Sequence, residues 1–587
     1  MAADQSPMNK LITEHIDIWT SAVKTKSISG RGSSKKLELY GIKKLRELII
    51  ELAIQGKLTA SLDFKGSAKK SVEDAIVAKF NLSKERNIRG DKETYSSDRA
   101  KGFPLHWETI CVGQVAHVLG GKRVPKGYKL SEQPTDFVYL RVTDMKNQSI
   151  DESDLRYISE EVFKQISRYT INTGDVYVTI AGTIGAVGTI PPHLDGMSLT
   201  ENAAKLVFSG LSKKYLVTVL QSSFVTRQFN DAVNQMAQPK LSLNSIKHTC
   251  IPIPPLEEQE YIADKVDELM ALCDQLEQQT EASIEAHQVL VTTLLDTLTN
   301  SADADELMQN WARISEHFDT LFTTEESIDQ LKQTILQLAV MGKLVPQDPT
   351  DEPASELLKR IAEEKAQLVK EKKIKKQKAL PPIAEDEKPF ELPSGWEWCS
   401  LSSLGHFFGG KTPSKSNSSF WGGDVLWVTP KDMKRTHIDD SEDKITQAGV
   451  DSGLAIVEVN SLMCVTRSGI LRRHFPVALA KKQCTVNQDL KVLSFYDKSV
   501  ADYVLLMMQG FEQHILDKLT KTGTTVESLK FDEFSVYPFM LPPLKEQRRI
   551  VSKVEDLMIM CEELKARLKY SQITQQQLTD AIAGQAV

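Results

Sequence analysis

The sequence lacks the segments that direct a chain into a membrane or an oxidising compartment. Its first ten residues show no cationic start followed by an apolar core, so no signal peptide is expected. The uncharged run 176–192 contains three glycines and two prolines and is too short to span a bilayer. Only seven cysteines occur in 587 residues and none forms a C-x-x-C pair, which indicates buried, reduced thiols. We therefore expect a soluble, cytoplasmic protein without a membrane partner.

The chain is a tandem duplication whose matched blocks lie 286 to 302 residues apart. The longest match pairs 254–276 with 542–564, and 12 of the 23 positions are identical. Shorter matches pair LAIQGKL with LAVMGKL and FPLHWE with LPSGWE. Each half therefore follows the order helix, linker, globular domain, helix, and the length predicts about three to five domains in total.

The shared helices carry an apolar seam with coiled-coil spacing. From Ile262 to Leu276 the apolar residues alternate steps of four and three, and the same spacing runs from Ile550 to Leu568. A Pro-Pro pair precedes each seam and marks a helix start, because proline is tolerated only in the first helical turn. The duplication of the seam favours a long helical scaffold over ordinary core helices.

Two divergent regions, 103–253 and 392–541, lie between the shared blocks. Runs rich in β-branched residues, such as VYLRV and VLWVT, predict strands, and helical stretches follow near 214–234 and 499–520. The expected fold class is α+β. Two α/β-type globular domains are separated by long antiparallel or coiled-coil helices, and the tandem duplication relates them by pseudo-twofold symmetry.

Polar, basic turns occur at three matched places in each globular region. GKRVPK corresponds to GKTPSK, DMKNQ to DMKRT, and GTIG to RSGILRR. Lys and Arg can neutralise phosphates, and Arg, Asn and Gln can bond base edges. The net charge of −7 argues against a surface coated uniformly with cations, but local patches rather than totals attract phosphates. The matched turns therefore predict a DNA-binding face in each region.

The lysine-rich segment 365–378 holds seven lysines and one glutamate. It is either an arm that contacts phosphates or a solvated linker helix, and the sequence leaves both open. Composition alone does not choose between them, because a charge run on a helix is also typical of a solvent-exposed face.

One catalytic motif is formally present, but its context is wrong. Residues 405–412 fit G-x-x-x-x-G-K-[ST], the loop that cradles phosphates before a helix. The segment that follows, PSKSNSSFWGG, has no helical periodicity, and the first half has Ala116 and Arg123 at the two diagnostic ends. No nucleophile–base–acid set and no metal-ligand cluster stand out elsewhere. We therefore expect no catalytic residue, no metal site and no cofactor on this chain.

The combined pattern resembles the specificity subunit of Type I restriction-modification systems. Two globular regions, each followed by a helix that opens with P-P-L-x-E-Q, are typical of that family. The stretch 409–434 resembles the start of its target-recognition domains, as do Asn487 and the Gly-Thr-Thr turn at 523–525. The first domain departs from this pattern at Arg123 and at 235–237, where Gln-Met-Ala replaces Gly-Thr-Thr. The length and the long N-terminal segment are most like the subclass with larger subunits.

The resemblance implies a division of labour between this chain and its partners. Each target-recognition domain would read one half of a bipartite site in double-stranded DNA, and the helices would set the spacer and dock the methyltransferase subunits. Two methyltransferase subunits would bring S-adenosylmethionine and adenine methylation. Two restriction subunits would bring ATP, magnesium, translocation and cleavage. The chain itself would be non-catalytic.

The resemblance also implies domain boundaries. The expected ranges are an N-terminal helical segment at 1–60, a linker at 61–102, target-recognition domain 1 at 103–253, a central helical region at 254–345, a basic linker at 346–391, target-recognition domain 2 at 392–541 and a C-terminal helix at 542–587.

Candidate site residues fall into two groups, one facing DNA and one facing the partner subunits. The DNA-binding candidates are Lys122, Arg123, Lys126, Arg141, Lys146, Asn147, Gln148, Thr183, Asn202, Gln235, Lys411, Thr412, Ser414, Lys415, Lys431, Lys434, Arg435, Arg467, Arg472, Arg473, Asn487, Thr524 and Thr525. The partner-interface candidates are Leu256, Glu258, Gln259, Ile262, Leu544, Glu546, Gln547 and Ile550.

Two other classes of function stay open on the sequence alone. One is an ATPase built around Lys411, which a nucleotide-binding assay on the isolated chain would reveal. The other is a structural coiled-coil adaptor without DNA specificity, which footprinting on random DNA would reveal.

Overall fold

The computed structural model describes residues 7–27, 35–89, 95, 102–234, 239–302, 304–375, 383–384, 388, 391–521 and 526–586. The chain divides into two compact units, one made of Met1–Ser283 with Ser571–Val587 and one made of Ile284–Tyr570. Both boundaries fall inside long helices, Leu256–Thr299 and Leu544–Ala586. Within the described ranges, no helix combines the length and apolar character that crossing a bilayer requires.

The first unit combines a mixed globular domain with helices from both chain termini. Its helices are Pro7–Glu14, Ile16–Ser21, Tyr40–Ile54, Ala68–Glu85, Val112–Val115, Glu160–Ile166, Lys213–Gln221, Ser223–Asn234, Leu243–Lys247, the first part of Leu256–Thr299 and the last part of Leu544–Ala586. Its strands are Lys24–Ser27, Lys35–Glu38, Glu108–Cys111, Ala116–Gly120, Tyr139–Leu140, Met145–Lys146, Ser149–Ile150, Thr170–Ile171, Val176–Thr179, Val187–Gly188, Met197–Leu199, Ala203–Phe208 and Cys250–Ile253.

A four-stranded antiparallel sheet forms the centre of this domain, in the order Val187–Gly188, Val176–Thr179, Ala203–Phe208, Ala116–Gly120. A separate three-stranded sheet places Met197–Leu199 between a parallel and an antiparallel neighbour. At the base of the domain, Glu108–Cys111 pairs antiparallel with Cys250–Ile253, so the chain enters and leaves through one two-stranded ribbon.

The second unit repeats this plan. Its helices are the remainder of Leu256–Thr299, Ala304–Ser315, Phe318–Leu321, Glu325–Val340, Ala354–Lys370, Leu401–Leu404, Gln447–Asp451, Ala501–Gly510, Glu512–Lys518, Phe531–Val536 and most of Leu544–Ala586. Its strands are Glu397–Cys399, Gly405–Gly409, Trp421–Val428, His437–Ile438, Asp443–Ile445, Leu462–Val465, Val477–Ala480, Cys484–Val486, Leu490–Phe495, Thr520–Lys521, Ser528–Leu529 and Phe539–Leu541.

A five-stranded sheet runs through the second domain, with Leu462–Val465 at its centre and Gly405–Gly409 at one edge. A three-stranded sheet carries Trp421–Val428 between Asp443–Ile445 and Cys484–Val486. Glu397–Cys399 pairs with Phe539–Leu541 at the base, as the corresponding ribbon does in the first unit. The α+β class predicted from the sequence is confirmed.

The apolar seams are buried inside their own units, as their spacing predicted. Ile262 and Cys273 are fully buried in the first unit, and Ile550 and Cys561 are fully buried in the second. In the first unit Arg46, on the helix Tyr40–Ile54, lies 2.7 Å from carboxylate oxygens of Asp274 and Glu277 on the seam helix. Packing along the seam, with ion pairs at its edge, therefore joins the upstream helix to the long helix.

Two glycines end the upstream helices and let the domains pack against them. Gly56 and Gly342 have φ of +69° and +70°, a left-handed conformation that glycine adopts without steric cost. A Cβ at these positions would lie 2.5 Å from Cγ of Pro104 and 2.7 Å from Cγ of Pro393. The repeated LAxxGKL block is therefore a helix stop and also a close contact with the start of each domain.

Two further helices, Ala68–Glu85 and Ala354–Lys370, lie inside the ranges expected to be linkers. They begin 286 residues apart and each buries one face, including Ala75 in the first and Ile361 in the second. The second helix covers the start of the lysine-rich segment, where Lys365 Nζ lies 5.6 Å from the ring centre of Tyr496. Residues 376–378 of that segment lie outside the described residues.

Candidate nucleic-acid interface

A buried glutamate anchors the base of each globular domain. Glu258 accepts hydrogen bonds from Trp107 Nε1 at 3.1 Å and from Thr59 Oγ1 at 2.7 Å, and His106 Nε2 lies 2.9 Å away. It comes from the first turn of the long helix, whereas Trp107 starts the domain. The carboxylate therefore fixes the domain to the helix, and we call this hydrogen-bonded group of Glu258, Trp107, Thr59 and His106 the clamp.

The second domain repeats this clamp with fewer donors. Trp396 Nε1 donates to Glu546 Oε1 at 3.1 Å, and Gln347 Nε2 donates to the same oxygen at 3.5 Å. Burial raises the pKa of Glu546 above its ordinary value. In both clamps the indole also packs edge-on against a buried tyrosine, Tyr215 or Tyr503, with ring centres 6.5 and 6.4 Å apart.

Six of the eight predicted partner-interface residues are therefore internal. Each of the six is no more than 1% exposed; they are Glu258, Gln259, Ile262, Glu546, Gln547 and Ile550. The two glutamines complete the clamp, because Gln259 Nε2 and Gln547 Nε2 donate to the carbonyls of Pro254 and Pro542 at 2.9 and 2.8 Å. This burial corrects the expectation that these six contact a partner. Only Leu256 and Leu544 keep accessible surface.

In the first domain the loops converge through short backbone hydrogen bonds. Lys122 N donates to Leu199 O at 2.9 Å, and Thr200 N donates to Leu140 O at 3.1 Å. The buried Tyr139 places its hydroxyl 2.8 Å from Lys122 O. The loops after three different strands are thus held side by side. We call this set of backbone hydrogen bonds between the loops the frame.

The second domain holds its loops with the same bonds, 287 to 289 residues later. Lys411 N donates to Val486 O at 3.1 Å, and Asn487 N donates to Val428 O at 3.0 Å. Trp427 takes the place of the tyrosine, and its Nε1 donates to Lys411 O at 3.1 Å. The backbone frame is therefore shared, although the side chains that it carries differ.

A glycine at the same place in each frame makes this close approach possible. A Cβ on Gly121 would lie 2.1 Å from Thr200 O, and one on Gly410 would lie 2.0 Å from Val486 O. No other residue fits so close to a backbone carbonyl. A fourth loop joins each frame, since Ile180 N donates to Asn202 O and Thr466 N donates to Asp489 O, both at 2.8 Å.

Seven predicted cations point into solvent from these loops. All seven are exposed and make no ion pair with any residue that the structure describes; they are Lys122, Lys126, Lys411, Lys415, Lys434, Arg467 and Arg473. Unpaired exposed cations can neutralise phosphates without first breaking an internal bond. Lys122 also lies 5.6 Å above the ring of Tyr169.

Five predicted cations are ion-paired at the surface. The pairs are Arg123 with Glu201, Lys146 with Asp151, Lys431 with Glu442, Arg435 with Asp439, and Arg472 with Glu527.

Two of the predicted DNA contacts, Arg141 and Asn487, also make hydrogen bonds inside the loops. Arg141 donates from Nε and Nη2 to Asp144 and also contacts Asp154, so most of its donors are used internally. Asn487 is 6% exposed and its Oδ1 accepts from Asp489 N at 3.1 Å. These bonds hold the loops in shape, and contact of the two side chains with DNA stays a prediction.

The exposed polar candidates sit at loop tips. Asn147 and Gln148 form the two-residue turn between Met145–Lys146 and Ser149–Ile150, and their φ angles are 49° and 61°. Two positive φ values define the hairpin turn that matches strand twist, and glutamine adopts this conformation less readily than asparagine or glycine.

The remaining polar candidates lie lower in the loops or outside the described residues. Thr183 and Ser414 are exposed, Asn202 is half-buried, and Thr412 Oγ1 donates to Gln488 Oε1. Gln235, Thr524 and Thr525 lie outside the described residues.

The phosphate-loop motif has no helix behind it. Gly405–Gly409 is a strand, Lys411 lies in an irregular loop, and the short 3₁₀ segment Ser418–Phe420 leads directly into the strand Trp421–Val428. A phosphate-binding loop needs the N-terminus of a helix to complete its cradle. In the described part of the chain no group of three or more His, Cys, Asp or Glu side chains could hold a metal ion.

Comparison with known proteins identifies the family. The model of the Type I restriction modification DNA specificity domain matches twice, at residues 104–286 and 393–575. The chain belongs to the family of Type I restriction-modification specificity subunits. The two matches coincide with the two globular domains and the helices that follow them, so this specificity subunit carries the family domain in duplicate.

Curated relatives match along the whole length. The specificity subunits of the Type I restriction enzymes EcoAI and EcoEI of Escherichia coli are each 37% identical, over 99% of this chain and 100% of their own length. The solved structure of the HsdS subunit from Thermoanaerobacter tengcongensis is 19% identical and covers 82% of this chain and 97% of its own, with a TM-score of 0.40.

Several residues that build this interface were not singled out from the sequence. Glu201 and Glu527 lie next to exposed arginines, and Tyr139 and Trp427 support the first loop. Their partners are 16 to 78 residues away in the chain, so no local pattern marks them. The tryptophan and the glutamate of the clamp both recur in the two halves, and this recurrence was the available signal of the clamp.

Proposed function

We propose that this chain is the sequence-reading subunit of a Type I restriction-modification complex and that each globular domain binds one half of a bipartite DNA site. The shared backbone frame with different side chains supports this most directly. The bonds of Lys122 N and Lys411 N are the same in both domains, but Tyr139 faces one loop and Trp427 the other. Two domains that share one backbone arrangement but expose different side chains are expected to bind two different base sequences.

The phosphate contacts would come from the unpaired cations of the loops. Lys126 in the first domain and Lys411 and Lys415 in the second are exposed and lack an ion-pair partner among the described residues. The base contacts would come from side chains on the same loops, such as Asn147 and Gln148 at the hairpin tip. Phosphate contacts fix the register of the domain, and base contacts carry the specificity.

The long helices would set the spacer and carry the partner subunits. Leu256–Thr299 has 44 residues, about 66 Å at 1.5 Å per residue. Exposed apolar residues on the long helices include Tyr261 and Leu272 on the first and Ile559 and Tyr570 on the second. We place the docking of two methyltransferase subunits there, because the clamp residues at the helix starts are internal. Methylation, ATP hydrolysis and cleavage would then belong to the partners, including two restriction subunits.

A domain exchange tests this function. Residues 103–253 would be replaced by the first domain of another family member, and the reciprocal exchange at 392–541 would serve as the matched control. Methylome sequencing of cells that also express the partner subunits should show one altered half-site in each case, with the other half and the spacer unchanged. Alteration of both halves by one exchange would contradict independent reading.

A second experiment addresses the spacer. Four residues, about one helical turn, would be inserted after Gly342, where the helix Glu325–Val340 has ended. The bases of both half-sites should stay the same while the spacer between them changes. An unchanged spacer would show that this helical region does not set the distance.

A further inference from the structure

An exposed arginine in each domain is held by a glutamate through the same atom. In the first domain Arg123 Nε lies 2.5 Å from Glu201 Oε1, and 79% of the arginine side chain is exposed. In the second, Arg472 Nε donates to Glu527 Oε1, and 60% of that side chain is exposed. The two arginines occupy different loops, so the arrangement is not inherited from the duplication.

The glutamates are themselves fixed in place. Glu201 Oε2 lies 3.2 Å from the hydroxyls of both Tyr139 and Thr200. Glu527 is 5% exposed, and its second carboxylate oxygen is buried with no hydrogen-bond partner among the described residues. A carboxylate that is anchored or buried holds the arginine in one orientation, which lowers the entropy lost when the guanidinium binds something else.

The contact through Nε determines which edge of the guanidinium is left. Neither terminal nitrogen of Arg123 or Arg472 has a hydrogen bond to a described residue. These nitrogens form the end-on edge, which offers two parallel N–H donors to a planar acceptor pair. The side-on edge, which uses Nε, is occupied by the carboxylate in both domains.

The neighbouring carboxylate also determines whether the arginine favours a phosphate or a base edge as its hydrogen-bond acceptor. A DNA phosphate approaching either pair would meet a negative charge beside the guanidinium, and the Coulomb attraction would largely cancel. The edge of a base carries no net charge and is not penalised in this way. Among the bases, guanine presents two acceptors, O6 and N7, on its major-groove edge, spaced for a bidentate arginine.

We propose that Arg123 and Arg472 each read one guanine through the end-on guanidinium edge, with Glu201 and Glu527 as positioning residues. This rests on the proposed function, since it requires that the two loop faces contact DNA. It predicts that each half-site contains at least one G·C pair. The unpaired lysines, such as Lys126, then contact phosphates and contribute no preference among bases.

Modified bases test this directly in the complex of the chain with its methyltransferase subunits. The half-sites are taken from the methylome, and each guanine is replaced in turn by 7-deazaguanine, which lacks N7, or by inosine, which keeps both O6 and N7. At one guanine in each half-site, 7-deazaguanine should weaken binding by about 2- to 10-fold, because it removes one of the two acceptors of a bidentate contact, whereas inosine should not.

Variants assign each contact. Arg123→Ala should abolish the discrimination between guanine and 7-deazaguanine in the first half-site only, and Arg472→Ala should do so in the second only. Glu201→Gln keeps the size of the side chain but removes its charge, and should reduce this discrimination while leaving binding to random DNA equal or tighter. Lys126→Ala is the matched control. It should weaken binding to all sequences and lower the salt slope by about one, with discrimination unchanged.

Failure of this inference is distinguishable from failure of the proposed function. Specific binding without any effect of 7-deazaguanine, or a half-site without a G·C pair, would overturn the guanine contacts and leave bipartite reading intact. Retained discrimination in Arg123→Ala or Arg472→Ala would overturn the assignment of the residue. Absence of any preference for the methylated site over random DNA would instead contradict the proposed function itself.

Discussion

Removing the indole N–H of Trp396 should destabilise the second unit more than the equivalent change destabilises the first. In Trp396→Phe, Glu546 keeps only the 3.5 Å contact from Gln347, so a buried carboxylate loses its main donor. A hydrogen bond to a charged group contributes about 1.5–3 kcal/mol, and the smaller ring also loses packing. We expect the free energy of unfolding to fall by about 2–4 kcal/mol.

The matched variant is Trp107→Phe in the first unit. There Glu258 still accepts from Thr59 at 2.7 Å and keeps His106 at 2.9 Å. The loss of ring volume is the same in both variants, so it cancels in the comparison. The free energy of unfolding should therefore fall by about 1–2 kcal/mol in Trp107→Phe. The difference between the two variants measures the cost of leaving the Glu546 carboxylate without its main hydrogen-bond donor.

The pH dependence of the first variant follows from the raised pKa of Glu546. A group whose pKa is higher in the folded state favours folding at low pH, and this contribution disappears as pH rises through the folded pKa. Loss of the indole donor should raise that pKa further. Urea unfolding followed by circular dichroism should therefore show a larger deficit for Trp396→Phe at about pH 8 than at about pH 5. Equal losses in the two variants, or a deficit independent of pH, would refute this account of the clamp.

Three further outcomes are expected. Gly342→Ala should destabilise the chain by about 1–3 kcal/mol, because its φ is +70° and a Cβ would lie 2.7 Å from a proline ring carbon. The control Gly584→Ala, whose Cβ would have nothing within 4 Å, should be neutral or slightly stabilising. Similar shifts of the melting temperature in the two variants would contradict the argument. Lys411→Ala should weaken DNA binding and lower the salt slope of that binding by about one. The isolated chain should bind no ATP before or after the change. Micromolar ATP binding that the variant abolishes would reverse the assignment of this loop to DNA contact. Cys111 and Cys250 lie opposite each other on paired strands, so mild oxidation with diamide should join them in peptide maps, and their recovery as separate thiols would show that the pair is too far apart.

The features predictable from the sequence were those with a period or a repeat. The seam from Ile262 to Leu276 follows a fixed spacing, and its burial needs no knowledge of what it packs against. The duplicated blocks likewise indicated that both halves fold alike. The helix Ala68–Glu85 was missed, and Ala354–Lys370 was anticipated only at its lysine-rich end, because each buries only three or four residues and their sequences differ between the halves.

The candidate site was less predictable, because its geometry depends on residues far apart in the chain. Arg141 looks like a free cation in the sequence, and only the fold brings Asp154 against it alongside its near neighbour Asp144. Glu258 looks like an exposed residue of a first helical turn, yet its partners Trp107 and Thr59 come from 151 and 199 residues away. Long-range pairing therefore decided which polar residues form the frame and which face outward.

The central claim is that two domains of one chain read two separate half-sites, and the methylome of cells expressing the unaltered chain with its methyltransferase subunits tests it most directly. Single-molecule sequencing should show adenine methylation within one motif that has two specified parts separated by a spacer of fixed length and free sequence. A single continuous motif would contradict the division into two readers, and an unmethylated genome in cells that contain the assembled complex would contradict the assignment of DNA recognition to this chain.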